Sequence, residues 1–389
     1  MHASSFPSLA HLDRMTDSAG LIQHAIYNIP RRSSGYTTDD NARALRLCVR
    51  LCADHSDERM LERVACYLSF MEHAQQSAGG FHNFMSYQRN WLDDNGCGDS
   101  QGQAVLALAE VRAGNVPRGF RDLAKELMDN AAPVLRDLTS LRAHAYVVQA
   151  WGILRRARVA GIGELESIAR NAVGHLVNAW QANQHVGWEW FEPQMTYANA
   201  VLPHAMFDAA DGWSDEEYLS IAESSFRFLD KATTTGNIFW PVGNDGWYSQ
   251  TGEKSLYDQQ PVEASTMAAA ALSAMELQHD QDYLVAFQKA HGWFHGENSL
   301  HSSMADTETG GCHDGLESTG VNRNFGAEST LAYLWTEVLA LDAHLVPNNA
   351  TSVSSSLRSV PQFTERPERR DGTPDIEITS PVFLTGREF

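Results

Sequence analysis

Apolar residues recur along this chain at the three-to-four spacing of helices, in two alternating kinds of segment. Segments 41–53, 101–113, 142–158, 197–210, 262–277 and 327–344 are rich in alanine and apolar on more than one face. Segments 57–76, 118–138, 162–181, 214–231 and 282–295 are amphipathic, with charges along one side, and a short stretch at 9–15 supplies a sixth of this kind. A helix ringed by other helices has no solvent face and reads apolar or small all round, as in MAAAALSAM, whereas LERVACYLSFMEH suits a half-exposed position. The alternation predicts an all-α fold, an (α/α)6 toroid of six inner and six outer helices. A linear solenoid is the rival, but its repeats share a sequence pattern, and here the connecting loops differ widely.

The loops are asymmetric. Those leaving an inner helix are short and polar. Those entering one, at 35–40, 79–100, 187–196, 236–261 and 310–325, are long and carry Gly, Trp, Tyr, His and carboxylates. A toroid brings all of these to one end, and loops on a rigid scaffold carry function. Pro203 implies that its helix either starts near it or is kinked there. The toroid is expected over 1–346. Residues 347–389 hold five of the 13 prolines and the run TSVSSS, and are expected to form a linker or disordered tail.

Composition narrows the function. With 29 Lys and Arg against 49 Asp and Glu, the net charge of −20 argues against a nucleic-acid partner. No apolar run is long enough for a membrane span and no signal peptide is visible, so a cytoplasmic protein without a membrane partner is expected. Five cysteines suit a reducing compartment, and Cys48 and Cys52 lack the further ligands of a zinc site, so no metal and no cofactor are expected.

Five loop clusters carry candidate chemistry. Tyr36, Asp39, Asp40 and Arg43 open the first inner helix, where one acid would serve as a cap and the second is in excess. Trp188, Glu189, Trp190 and Glu192, followed by Tyr197, Asn199 and His204, combine aromatic faces that suit a pyranose with carboxylates that grip hydroxyls or move protons. Trp240, Trp247, Asp258, Gln259 and Glu263 form the third cluster, and a carboxylate one turn into an inner helix needs a partner or a role. His313, Asp314, Asn322, Arg323 and Glu328 precede or open the last inner helix. His82, Asp93, Asp94 and Asp99 make the fifth, without the spacing of a calcium loop.

The segments LDRMTDSAGLIQHAIYNIPRRSSGYTTDDNARAL, GWEWFEPQMTYANAVLPHAM, YDQQPVEAS and GVNRNFGAESTLAYL resemble a bacterial glycosyltransferase-associated family over residues 9–345. That resemblance implies an α-toroid acting on carbohydrate, found after a glycosyltransferase domain or beside mannoside-active enzymes, either of which would be a partner. The family places a carboxylate before, and a histidine after, the Asp-Ser pair of the second rich loop. Gly98 and Gln101 stand there, which weakens Asp99 as a catalytic candidate.

Together these features predict a glycoside hydrolase acting on a manno- or gluco-configured oligosaccharide through two carboxylates. Asp40 and Glu192 lead as catalytic candidates, followed by Glu189 and Asp258. Tyr36, Trp188, Trp190, Trp240 and Trp247 are expected to stack on sugar. Asp39, Arg43, Tyr197, Asn199, His204, Gln259, Glu263, His313, Asp314, Asn322, Arg323 and Glu328 complete the binding set. The alternatives are a sugar 2-epimerase or isomerase using His82, His204 or His313, and a non-catalytic carbohydrate-binding module partnering a glycosyltransferase.

Overall fold

The computed structural model describes residues 6–52 and 58–343; the tail expected at 347–389 lies outside them. Twelve helices are found among the described residues. The inner six are α2 (Thr38–Leu51), α4 (Gly98–Ala113), α6 (Leu141–Arg156), α8 (Val201–Trp213), α10 (Pro261–Gln278) and α12 (Ala327–Asp342). The outer six are α1 (Ala10–Met15), α3 (Glu58–Ala74), α5 (Arg118–Arg136), α7 (Gly163–Asn183), α9 (Glu216–Thr233) and α11 (Gln281–Phe294). Each inner helix packs on the next, and α12 returns to α2, so the ring is closed. Each outer helix from α3 to α11 lies against the inner helix before it, and α1 lies against α12. This is the (α/α)6 toroid.

Composition explains the layers. In α4 every residue from Ser100 to Arg112 is buried, whereas α5 buries one stripe that includes Ala124, Leu127, Met128 and Ala131. Small residues set the spacing. A Cβ on Gly102 would stand 3.0 Å from the Ala143 Cα, so α4 and α6 approach so closely there that a larger residue would have to push them apart by a few tenths of an ångström.

The turns from inner to outer helices are tight. Ser214 and His279 each end an inner helix in the left-handed conformation, and the next helix starts two residues later. Pro203 sits in the first turn of α8, where a missing N–H costs nothing, so the helix starts at Val201 rather than kinking. The long loops gather at the opposite end and are stitched by two-residue antiparallel pairs. Tyr36–Thr37 pairs with Phe84–Met85, and Gln194–Met195 with Tyr248–Ser249.

Candidate functional site

All six inner helices start at the loop-rich end, and their axes surround a cavity of about 920 Å³. Its upper tier takes one polar side chain from each: Arg43, Gln103, Tyr146, His204, Ser265 and Glu328, every one within the first six residues of its helix. Arg46, Gln149, Asp208 and Trp335 line the next turn down. Arg46 Nε, Gln103 Oε1 and Asp208 Oδ2 are buried without a hydrogen-bond partner among the described residues. Buried polar atoms ordinarily have partners, so a wall carrying three such atoms suits a ligand rich in hydroxyls.

Arg43 organises the top of this wall. Its guanidinium meets Asp39 at 3.3 Å, Asp40 at 3.2 Å and Glu328 at 3.0 Å. Asp40 is 4% exposed, and its Oδ2 accepts from Thr37 Oγ1 at 2.7 Å. Thr37 in turn caps α2, because its Oγ1 accepts from the Asp40 N–H. One guanidinium faces three carboxylates, so the group carries an excess of negative charge. Burial, reinforced by the Asp39 charge, pushes the Asp40 carboxyl up to about 8. Burial raises Glu328 as well, against the pull of Arg43. Glu328 is the member of this trio that borders the cavity. Across the ring from α2, burial lowers His204 below the usual imidazole value, leaving it neutral at pH 7. Its Nε2 lies 3.9 Å from Asp208, which is itself held by Arg156 at 2.6 Å.

A second polar cluster fixes the start of α8. Arg142 forks onto Glu192, with Nη1–Oε1 at 3.0 Å and Nη2–Oε2 at 3.1 Å, and also donates to Tyr197 O and Thr196 Oγ1. Its guanidinium lies 4.5 Å over the Tyr197 ring. The Tyr197 hydroxyl donates to Asp99, which also accepts from Ser140 Oγ at 2.6 Å. Glu263 accepts from the Ala198 N–H, the Asn199 N–H and Asn199 Nδ2. Burial nonetheless pushes Glu263 up to about 7, since those bonds only partly offset the loss of water.

The structure thus brings Asp39, Asp40, Arg43 and Glu328 together, and separately Glu192, Tyr197, Asn199 and Glu263. It does not pair Asp40 with Glu192, because both Glu192 oxygens are taken by Arg142. Several expectations are corrected. Trp188 and Trp190 are 2% and 0% exposed, so their faces are closed to a sugar, and Trp188 Nε1 anchors the loop through Glu192 O. Tyr36 is buried and donates to Asp17. Gln259 is buried in bonds to Trp293, Leu256 and Ser299, which hold its loop. Asn199 is buried and spans Thr196 and Glu263.

The remaining candidates lie in the loops. Glu189 accepts from the Gly187 N–H and tightens its own turn. Trp240 is half-buried and donates to Leu256 O, and Trp247 and Asp258 adopt φ of +60° and +57°, which is uncommon away from glycine. Burial and the nearby Asp245 raise Asp258. Asp314 holds the start of α12 through the Gly326 N–H and Ser329 Oγ, and His313 Nδ1 bonds Asn322 O at 2.5 Å. Arg323 is exposed. His82 stacks on Trp91 at 4.9 Å with Nδ1 bound to Asp93 O. Among the described residues His204 is therefore the histidine that lines the cavity.

Sequence reasoning missed Arg142, Gln103, Tyr146 and Ser265. Arg142 carried a usable signal, since an arginine inside an apolar inner segment demands a buried partner.

No protein-family model matches the sequence, and neither does any curated protein. Among solved structures the chain is similar to a sugar epimerase from a ruminal bacterium, at 11% identity over 85% of this chain and 94% of that one, with a TM-score of 0.65. It is similar to the cellobiose 2-epimerase of Bacillus thermoamylovorans B4167, at 14% identity over 86% and 96% of the two chains, with a TM-score of 0.66. It is also similar to a GH76 alpha-mannanase of Bacteroides thetaiotaomicron, at 11% identity over 86% and 93%, with a TM-score of 0.59. At these identities the likeness shows the shared toroid fold.

Proposed function

We propose that the chain is a carbohydrate-active enzyme, a glycoside hydrolase that cleaves a manno- or gluco-configured oligosaccharide at the top of the axial cavity. One observation carries this: three carboxylates share the Arg43 guanidinium beside a roomy cavity lined by polar and apolar side chains together, where burial of Asp40 favours a retained proton. Glu328, which borders the cavity, delivers that proton to the leaving oxygen. Asp40 behind it is a positioning residue that keeps the group protonated. Asp39, part-exposed on the same guanidinium at the very start of α2 and so at the rim above the lined wall rather than on it, is the second carboxylate, which activates water or attacks a sugar that reaches that rim. Gln103, Tyr146 and Ser265 bind hydroxyls.

His204 favours a second reading, a 2-epimerase or isomerase, because a neutral imidazole facing the cavity can take a proton from carbon 2. The fold comparisons include enzymes of both kinds and are compatible with either.

The test is NMR of the purified protein with manno- and gluco-oligosaccharides in deuterated buffer. New reducing ends, lost in Glu328→Gln and Asp39→Asn but kept in His204→Asn, support the hydrolase. Deuterium at carbon 2 of an unbroken sugar, lost in His204→Asn, replaces it with the epimerase. No turnover of any sugar in the panel, together with saturable binding, overturns both in favour of a carbohydrate-binding module.

A further inference from the structure

On the outer side of the ring, away from the cavity, His291 and His295 lie four residues apart near the end of α11 and meet Glu337 of α12. Both imidazole Nε2 atoms converge on the same oxygen, Glu337 Oε1, at 3.0 Å and 2.7 Å. The ligand atoms of all three lie within 4.8 Å of one another. From this geometry we infer a metal site in which His291, His295 and Glu337 bind one divalent ion of the zinc class.

The donor set fits such an ion. Two imidazole nitrogens and a carboxylate oxygen are the ligands that zinc, cobalt and nickel share, whereas calcium and magnesium take oxygen. The spacing fits as well. Metal–ligand bonds of about 2.0–2.2 Å put the corners of a tetrahedron about 3.3 Å apart. The observed 3.0 Å and 2.7 Å therefore need an opening of only a few tenths of an ångström. Residues four apart at a helix end share a face, so His291 in the last turn of α11 and His295 at its C-cap present both nitrogens from one side. The Glu337 side chain is 10% exposed, while those of His291 and His295 are 23% and 34% exposed. The carboxylate thus forms a buried floor, and the histidines leave a solvent-facing side for the fourth ligand.

The location gives the ion a structural task. The sixth outer helix, α1, has only six residues. A metal bridging α11 and α12 would tie the last inner helix to the outer layer beside it.

The experiment uses the full chain without an affinity tag, stripped with chelator and titrated with Co²⁺ while the visible d–d absorption of tetrahedral cobalt is followed. One equivalent is expected to bind, and added Zn²⁺ displaces it and raises the melting temperature. His295→Gln, at a partly exposed helix end where folding is least threatened, weakens binding at least tenfold. His291→Gln does the same, and His185→Gln in an exposed loop leaves binding unchanged. Failure to bind Co²⁺ or Zn²⁺ stoichiometrically overturns the site, as does binding that survives His291→Gln and His295→Gln together. Either result identifies the cluster as a hydrogen-bonded His–Glu network.

Discussion

Replacing Arg142 with methionine removes four hydrogen bonds from one place: two to Glu192 and one each to Tyr197 O and Thr196 Oγ1. The Arg142 side chain is 5% exposed and that of Glu192 is 22% exposed, so the pair sits where losing one partner strands the other. Breaking a buried pair costs about 3–5 kcal/mol. The partial exposure of Glu192 pulls toward the lower end, and the two further bonds, at about 1 kcal/mol each, pull back up. The net expectation for Arg142→Met is a loss of about 4 kcal/mol. With an m-value of about 3 kcal/mol/M, the urea midpoint followed by circular dichroism falls by somewhat over ~1 M. Glu192→Gln should cost a similar amount, because it leaves the guanidinium uncompensated, and the double variant should cost clearly less than the sum of the two. A loss below about 1 kcal/mol for Arg142→Met, or strict additivity, would refute the clamp. Glu192→Gln that keeps its midpoint but loses turnover would restore Glu192 as a catalytic group.

Other outcomes follow from the same geometry. Asp40 is held up at about 8 against an ordinary 3.8, so the folded chain keeps a proton that the unfolded chain releases. Its contribution to stability is full below about pH 4 and declines as pH rises through 8, and Asp40→Asn should flatten that slope in urea titrations run across the range. If the same group holds the catalytic proton, kcat/KM falls above about pH 8, and Asp40→Asn shifts or abolishes that limb; an unaltered limb would remove Asp40 from the proton group. Trp188 is buried edge-on against Phe228 and Tyr248, so Trp188→Ala should cost about 3–5 kcal/mol, while Trp188→Phe leaves sugar affinity within twofold by calorimetry.

Much of the architecture was legible because burial on every side leaves an unmistakable composition. The runs in α4 and α10 announced inner helices, and the glycine- and tryptophan-rich loops announced the end at which the long connections gather. Helix bounds shifted by a few residues, as at 41–53, where Thr37 moves the start back to Thr38 by capping it. The site was harder to read for the same reason that the fold was easy. When a helix is apolar all round, its sequence does not say which face meets the axis, so Gln103, Tyr146 and Ser265 look like any other interior positions. Aromatic loop residues misled in the opposite direction: Trp188 and Trp190 have the composition of a sugar platform, but the loop folds over them. His291 and His295 went unremarked in the sequence because their carboxylate comes from α12, more than 40 residues onward, and only the packing of α12 beside α11 joins them.

Closure of that ring has a consequence for how the chain reaches its native state. Each of the five helical hairpins from α2–α3 to α10–α11 joins elements adjacent in sequence and can form early from local contacts. Sealing α12 against α2 cannot. It couples Arg50 to Asp342 across 292 residues, and the segment before α2 is hydrogen-bonded to the entry and first residue of α12, from Phe325 N to Tyr27 O and from Ala327 N to Gln23 O. A ribosome must therefore finish nearly the whole toroid before its first inner helix, α2, has a permanent neighbour on both sides. Until then the axial wall is an open crescent that exposes alanine-rich faces meant for one another. The joint between α12 and α2 is where this protein is expected to fold last, and Arg43 and Glu328, one on each side of it, become a pair only at that moment.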